Sequence, residues 1–263
     1  MKWYRIIAPL LALVLLVSCA VLRPARELEI TPADQADEIR NLLSALRTQN
    51  DSLKNFKGIG SIKVSQKGYL YLDQRVAWVG ERPAKLSIAV LVSGYPAIRL
   101  AADGEWLYYQ ETQGGETEFK KIRASDPNLK NLISIPISAS DILMLLAGCI
   151  PMPEFDSVDF TKEEGTRGYV LVLKQRWWGI RQKIFYDESR SRVYRIDVFQ
   201  GSDTLMYRAE IEQIQAVGGF EVPFRLKLSA DNDQNFQLDI DHYWVNVDLP
   251  PAAFVLTPPQ KNR

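Results

Sequence analysis

The chain has 263 residues, 10% of them aromatic, with 32 basic residues against 32 acidic. That length suits one large or two small domains, and the aromatic content can fill a sizeable core. The even charge balance excludes the basic footprint of a nucleic-acid binder, and two cysteines exclude both a disulfide framework and a cysteine-based metal site.

Lys2 and Arg5 give the N-terminus a positive charge, and residues 6–17 follow as an apolar run broken only by Pro9. The run is shorter than the ~20 residues a membrane-spanning helix needs. It fits the hydrophobic region of a secretory signal over residues 1–18. It ends in Leu16-Val17-Ser18-Cys19, which resembles the lipobox of bacterial lipoproteins. The resemblance implies cleavage before Cys19, a diacylglyceryl thioether on its sulfur and an acylated amine. Each buried methylene contributes ~0.8 kcal/mol, and two or more chains hold where one binds only marginally. Residues 19–35 then read as the lipidated N-terminus and a polar tether. Ala20 follows the cysteine, where many proteobacterial lipoproteins retained at the inner membrane carry an aspartate. The expected location is therefore the outer membrane, with the domain facing the periplasm.

Thr31-Pro32-Ala33-Asp34 opens a helix with an N-cap, a proline at its first position and an acid in its first turn. Ile39, Leu42, Leu43 and Leu46 then recur at helical spacing, so one amphipathic helix is predicted over 31–53. Beyond it the period becomes two. Strands are predicted over 56–64, 69–78, 85–92, 97–102, 105–111 and 117–122, with Asp103-Gly104 as a hairpin turn. Residues 125–128 form a loop or helical turn. A second helix follows over 139–148, capped by Ser138 with Asp141 three residues on, and ended by Gly148 before Pro151 and Pro153. Strands resume over 168–176, 180–187, 193–199, 205–214, 222–229 and 236–245.

Many strands joined by short turns mean antiparallel sheet. The expected fold is mostly β (α+β): one large curved antiparallel sheet, an incomplete barrel of about ten or eleven strands, with two helices plugging its concave face. Phe224, Leu226 and Leu228 face one way while Arg225 and Lys227 face the other. In 193–199, strict alternation puts Tyr194, Ile196 and Val198 on the apolar side and Val193 with Arg195 on the other. Two helices are few to cover so broad an apolar face, which leaves either an apolar cavity or a filled core.

Chemistry-bearing residues are sparse. Cys149 lies among apolar neighbours and reads as a buried inert thiol. The single histidine, His242, follows Asp239 and Asp241, but strict alternation points it to the opposite face, against a metal site. No phosphate loop or nucleophile elbow is present, and no metal or cofactor is expected. Trp177-Trp178 is either an exposed contact pair or one core and one rim residue.

The order of lipobox, amphipathic helix, strands, proline-flanked helix and strands resembles the lipoprotein carrier and receptor superfamily of LolA and LolB, LolB more closely. The residues that carry it are 135–151 (Ile135-Pro136 through Gly148-Cys149-Ile150-Pro151), 83–109 with Ser93-Gly94-Tyr95-Pro96, and Phe254-Val255-Leu256-Thr257-Pro258-Pro259. Together they span most of residues 36–259, which form the expected half-barrel domain.

The resemblance implies acyl chains of lipoproteins or another lipid held in an apolar cavity, without covalent chemistry and so without an enzymatic site. It implies a role in lipoprotein localisation or insertion, with a soluble periplasmic carrier as a candidate partner. Ile39, Leu42, Leu43 and Leu46 of the first helix, with Ile142, Leu143 and Leu146 of the second, are the candidate cavity and lid. Gly94, Tyr95 and Pro96 match a protruding loop that delivers cargo to the bilayer; Tyr95 stands where the family has leucine, and a plain turn residue is the alternative. The alternative function is a non-enzymatic interaction lipoprotein docking on an envelope assembly.

Overall fold

Runs of alternating apolar and polar residues become strands that pair in chain order, because short turns keep sequence neighbours adjacent. The computed structural model describes residues 29–30, 33–201 and 204–259. Cys19 and the predicted signal lie outside these. The elements are β1 (Glu29–Ile30), α1 (Ala33–Thr48), β2 (Asn55–Gln66), β3 (Tyr69–Glu81), β4 (Lys85–Val92), β5 (Tyr95–Ala102), β6 (Trp106–Gln113) and β7 (Glu116–Arg123). Then come α2 (Lys130–Ile133), α3 (Ala139–Leu146), β8 (Ser157–Lys162), β9 (Tyr169–Gln175), β10 (Gly179–Tyr186), β11 (Val193–Gln200) and β12 (Thr204–Glu212). The chain closes with the small hairpin β13 (Gln215–Val217) and β14 (Phe220–Val222), then β15 (Arg225–Ser229), β16 (Gln234–Val245) and a 3₁₀ turn at Pro251–Phe254.

Fourteen of these strands make one sheet in the order β1-β8-β9-β10-β11-β12-β15-β16-β2-β3-β4-β5-β6-β7. All its pairs are antiparallel except β1, which runs parallel to β8. The sheet ends at β1 and β7 and does not close into a barrel. It exceeds the ten or eleven strands expected, partly because β8 is only six residues long and carries an acid and a lysine. The ordered fold also starts before residue 36. Glu29–Ile30, placed by sequence in the tether, pairs with Ser157–Val158.

One face carries the core. Phe56, Trp78, Leu171, Ile184, Ile196 and Leu226 all belong to it, and α1 and α3 pack their apolar stripes against it. Leu143 of α3 is fully buried against Phe56 and Gly80. Ser138 caps α3 as predicted, its Oγ accepting from the Asp141 N–H at 3.1 Å. α1 ends at Thr48 rather than at residue 53, because the chain turns at Asn50, with φ +53°. Asn50 then fastens three elements: its Nδ2 donates to Ala147 O at 2.8 Å and to Glu221 O at 2.7 Å.

Two β-bulges overturn the strict alternation. Phe185 pairs with Arg195 but Tyr186 pairs with Val193, so the register slips by one residue. A one-residue slip exchanges the faces. Val193 is buried in the core, and Tyr194 turns outward to donate to the Glu163 carboxylate. A second slip, between Ile240 and His242, leaves His242 exposed and stacked on Trp244 while Tyr243 is buried. His242 therefore shares the outer face with Asp239, contrary to the alternation. Each of the two acids faces an arginine instead, Asp239 with Arg225 and Asp241 with Arg75.

Candidate lipid site

Where α2 and α3 cross β2–β5 and β15–β16, they leave a cavity of about 310 Å³. Period-two alternation builds its floor: Ile62 and Val64 from β2, Val76 and Trp78 from β3, Ile88 and Val90 from β4. Leu132 and Ile133 of α2 and Ile142 and Leu146 of α3 form the roof. Aliphatic and aromatic side chains dominate this wall, as in sites that bury apolar ligands.

The few polar groups are placed with purpose. Trp78 is 3% exposed, and its indole N–H is buried without a hydrogen-bond partner. The hydroxyl of Tyr109 is tied to Glu111 at 2.6 Å, and burial together with that bond pushes its pKa well above the ordinary tyrosine value. Tyr71 stands at the mouth, 61% exposed, with its hydroxyl bonded to the side chain of the buried Gln234. A lining without charged side chains suits a ligand that is mostly hydrocarbon.

The predicted lid residues divide. Ile142 and Leu146 line this cavity. Ile39, Leu43 and Leu143 are core residues. Leu42 and Leu46 line a different cavity, beneath α1. Sequence reasoning missed Trp78, Tyr71 and all of α2. Trp78 carried a signal, since it shares a strand face with Val76, whereas α2 is a single short turn with no periodicity to read.

The predicted contact loop forms the β4–β5 hairpin tip. Ser93 and Gly94 both have positive φ, +51° and +83°, the pair a tight hairpin turn requires. Tyr95 is 78% exposed, beside the exposed Val92. The β2–β3 tip adds exposed Tyr69 and Leu70 at the same end of the sheet, the end to which Tyr71 opens. Trp177 and Trp178 are both exposed at the β9–β10 tip.

Cys149 is buried, its thiol donating to Gln49 O at 3.2 Å, and burial raises its pKa. That environment disfavours the reactive thiolate. Among the described residues no cluster of His, Cys, Asp and Glu could hold a metal ion, and no helix is long and apolar enough to cross a membrane.

No family model and no curated protein sequence matches the chain. Solved structures do. A DUF1329 family protein from Desulfovibrio piger superposes with a TM-score of 0.59 at 11% identity, over 83% of this chain and 96% of its own. A LolA superfamily protein from Nitrosomonas europaea gives 0.50 at 14% identity, over 82% and 97%. The chain has the LolA-superfamily fold. A domain from Vibrio parahaemolyticus described as an outer membrane lipoprotein-sorting protein shares it, with a TM-score of 0.53 at 8% identity over 81% of this chain and 94% of that one. In this LolA-like sheet the cavity lies on the helix-covered face, the face that carries the core.

Proposed function

We propose that this chain is a membrane-anchored lipoprotein that shelters acyl chains, of lipoproteins or of another lipid, in the cavity between β2–β5 and α2–α3. The apolar cavity carries this reading. Its volume is at the small end of the ~300–1,000 Å³ typical of ligand sites. It therefore buries part of a chain rather than all of it. Complete burial of 16 carbons would contribute ~12 kcal/mol gross and hold the cargo too long for delivery. Partial burial, with Tyr71 at an open mouth, allows exchange.

In this reading Cys19 carries the anchor and the outer membrane is the destination. The exposed tips around Tyr95 and Tyr69 touch the bilayer, where amphipathic aromatic rings settle at the headgroup level. A soluble periplasmic carrier would dock near the same mouth to hand over cargo.

Native mass spectrometry of the full chain, extracted from bacterial envelopes, tests the reading. The expected result is a releasable adduct of lipid mass that disappears in Ile88→Trp, which fills the cavity. A chain that carries no adduct and gains none from an acylated peptide would overturn it.

A further inference from the structure

Two tryptophans stand side by side at the β9–β10 tip, where neither folding nor turn geometry calls for them. Gln175 pairs with Gly179, so Arg176, Trp177 and Trp178 form the turn, closed by the Trp178 N–H donating to Gln175 O at 3.0 Å. Trp177 is 94% exposed and Trp178 53%. An indole so exposed gains little from folding. Trp177 also has φ +74°, a left-handed conformation that glycine or asparagine adopts more easily than a bulky side chain. Exposed apolar surface of this kind marks a contact outside the chain.

The chemistry around the rings narrows that contact. Arg176 and Arg181 bracket the pair in sequence, and from Lys174 to Lys183 the hairpin has four basic residues and no acid. A bulge between Ile180 and Gln182 makes Arg181 the extra residue of β10, and its guanidinium lies 5.8 Å from the Trp178 ring centre. The acids beside the hairpin come from β8 and the residues before it. Asp159 pairs with Lys174, and Asp156 accepts from the Arg176 backbone N–H at 2.7 Å. Indoles settle at the headgroup level of a bilayer, and guanidinium groups bind its phosphates.

The topology puts this tip where a bilayer would reach it. Every second strand of the sheet, β10, β12, β16, β3 and β5, starts at the same end, so the β9–β10 tip shares an end with Tyr69 and Tyr95. β1 runs parallel to β8 with Glu29 beside Ser157, and Ser157 pairs with Lys174. The chain therefore enters the sheet at this end, two strands from the tip. Glu29 is ten residues after Cys19, and ten residues span at most ~36 Å.

We propose that the β9–β10 tip is a second membrane contact, in which Trp177 and Trp178 sit in the headgroup layer of a phospholipid bilayer with Arg176 and Arg181 on lipid phosphates. The proposal rests on the reading of the chain as membrane-anchored, but not on what the cavity holds. β3 lies six strands from β10 in the sheet, ~29 Å along it at the ordinary strand spacing. Two contacts that far apart, with the tether leaving beside one of them, turn this end of the sheet and the Tyr71 mouth toward the bilayer.

The test is tryptophan quenching in the full chain, taken from bacterial envelopes and reconstituted in vesicles of phosphatidylethanolamine and phosphatidylglycerol, with or without bromine on the lipid chains near the headgroup. The double variant Trp177→Phe, Trp178→Phe keeps the tip apolar and removes its emission. Wild type minus variant is then the emission of the tip alone, and the other tryptophans cancel. The tip emission is expected to shift to the blue on reconstitution and to fall about two-fold or more with brominated lipid. Tip emission that stays at the wavelength of an indole in water and ignores bromine, in protein that sediments with the vesicles, would overturn the contact and leave the anchor standing. Protein that stays in the supernatant would overturn the anchored reading, and this contact with it.

Discussion

The indole of Trp78 fills the space that Gly58, opposite it on β2, leaves by having no side chain. A Cβ at Gly58 would overlap the six-membered ring. The glycine thus lets a large wall residue of the cavity lie against the sheet. Gly58→Ala is expected to lower stability by ~1–3 kcal/mol through overpacking. It should also push the indole into the cavity and reduce lipid uptake. Urea denaturation and tryptophan fluorescence check both effects; an unchanged midpoint would show that the ring has room to shift.

Leu143 sits at the centre of α3, fully buried between the helix and β2–β3. Leu143→Asp puts an unpaired acid there and removes an isobutyl group from a packed site. The expected cost exceeds ~3 kcal/mol. A native melting curve for this variant would mean that α3 turns another face to the sheet.

In the proposed function the thiol of Cys19 is the acyl acceptor. Cys19→Ser is expected to abolish incorporation of an alkyne-tagged fatty acid and to release the protein from membranes. Labelling that persisted in the variant would remove the anchor from the proposed function.

Tyr95 is a tip residue, so Tyr95→Glu leaves the core untouched. The variant is expected to melt with the wild type but bind vesicles less tightly, because a carboxylate is unfavourable at the interface. Equal co-sedimentation with vesicles would reduce Tyr95 to a plain turn residue.

What could be read in the sequence was what local chemistry decides. Ser138 was legible as a cap because its bond to Asp141 spans three residues. The partner that clamps the same turn, Asp126 on Ser140, lies 14 residues back and gave no sign. The faces of Phe224, Leu226 and Leu228 followed from alternation, but those of Val193 and His242 did not. A bulge is set by pairing with the neighbouring strand, and periodicity in one strand carries no record of it. The cavity was legible only as a surplus of apolar face over available helix. Its location depends on α2, and the turn after α1 is held at Asn50 by partners 97 and 171 residues away.

Glu163, in the loop after β8, reaches the outer face of β11 because the bulge turned Tyr194 toward it. Burial alone would raise its pKa, but hydrogen bonds from Tyr194, Thr166 and Arg195 outweigh that and hold it below the ordinary 4.5. A carboxylate depressed in the folded state binds fewer protons there than in the unfolded chain. Its contribution to stability is therefore full above pH 4.5 and is lost as pH falls through the folded value. Glu163→Gln removes that contribution. The gap in urea midpoint between wild type and variant is expected to be widest at neutral pH and to close in acid. Other depressed acids, such as Asp187 and Asp239, are present in both proteins and cancel in the difference. A gap that stayed constant from pH 7 to pH 3 would show that the Glu163 carboxylate is not held by Tyr194 and Arg195, and with it that the bulge does not fasten the β8–β9 loop to β11.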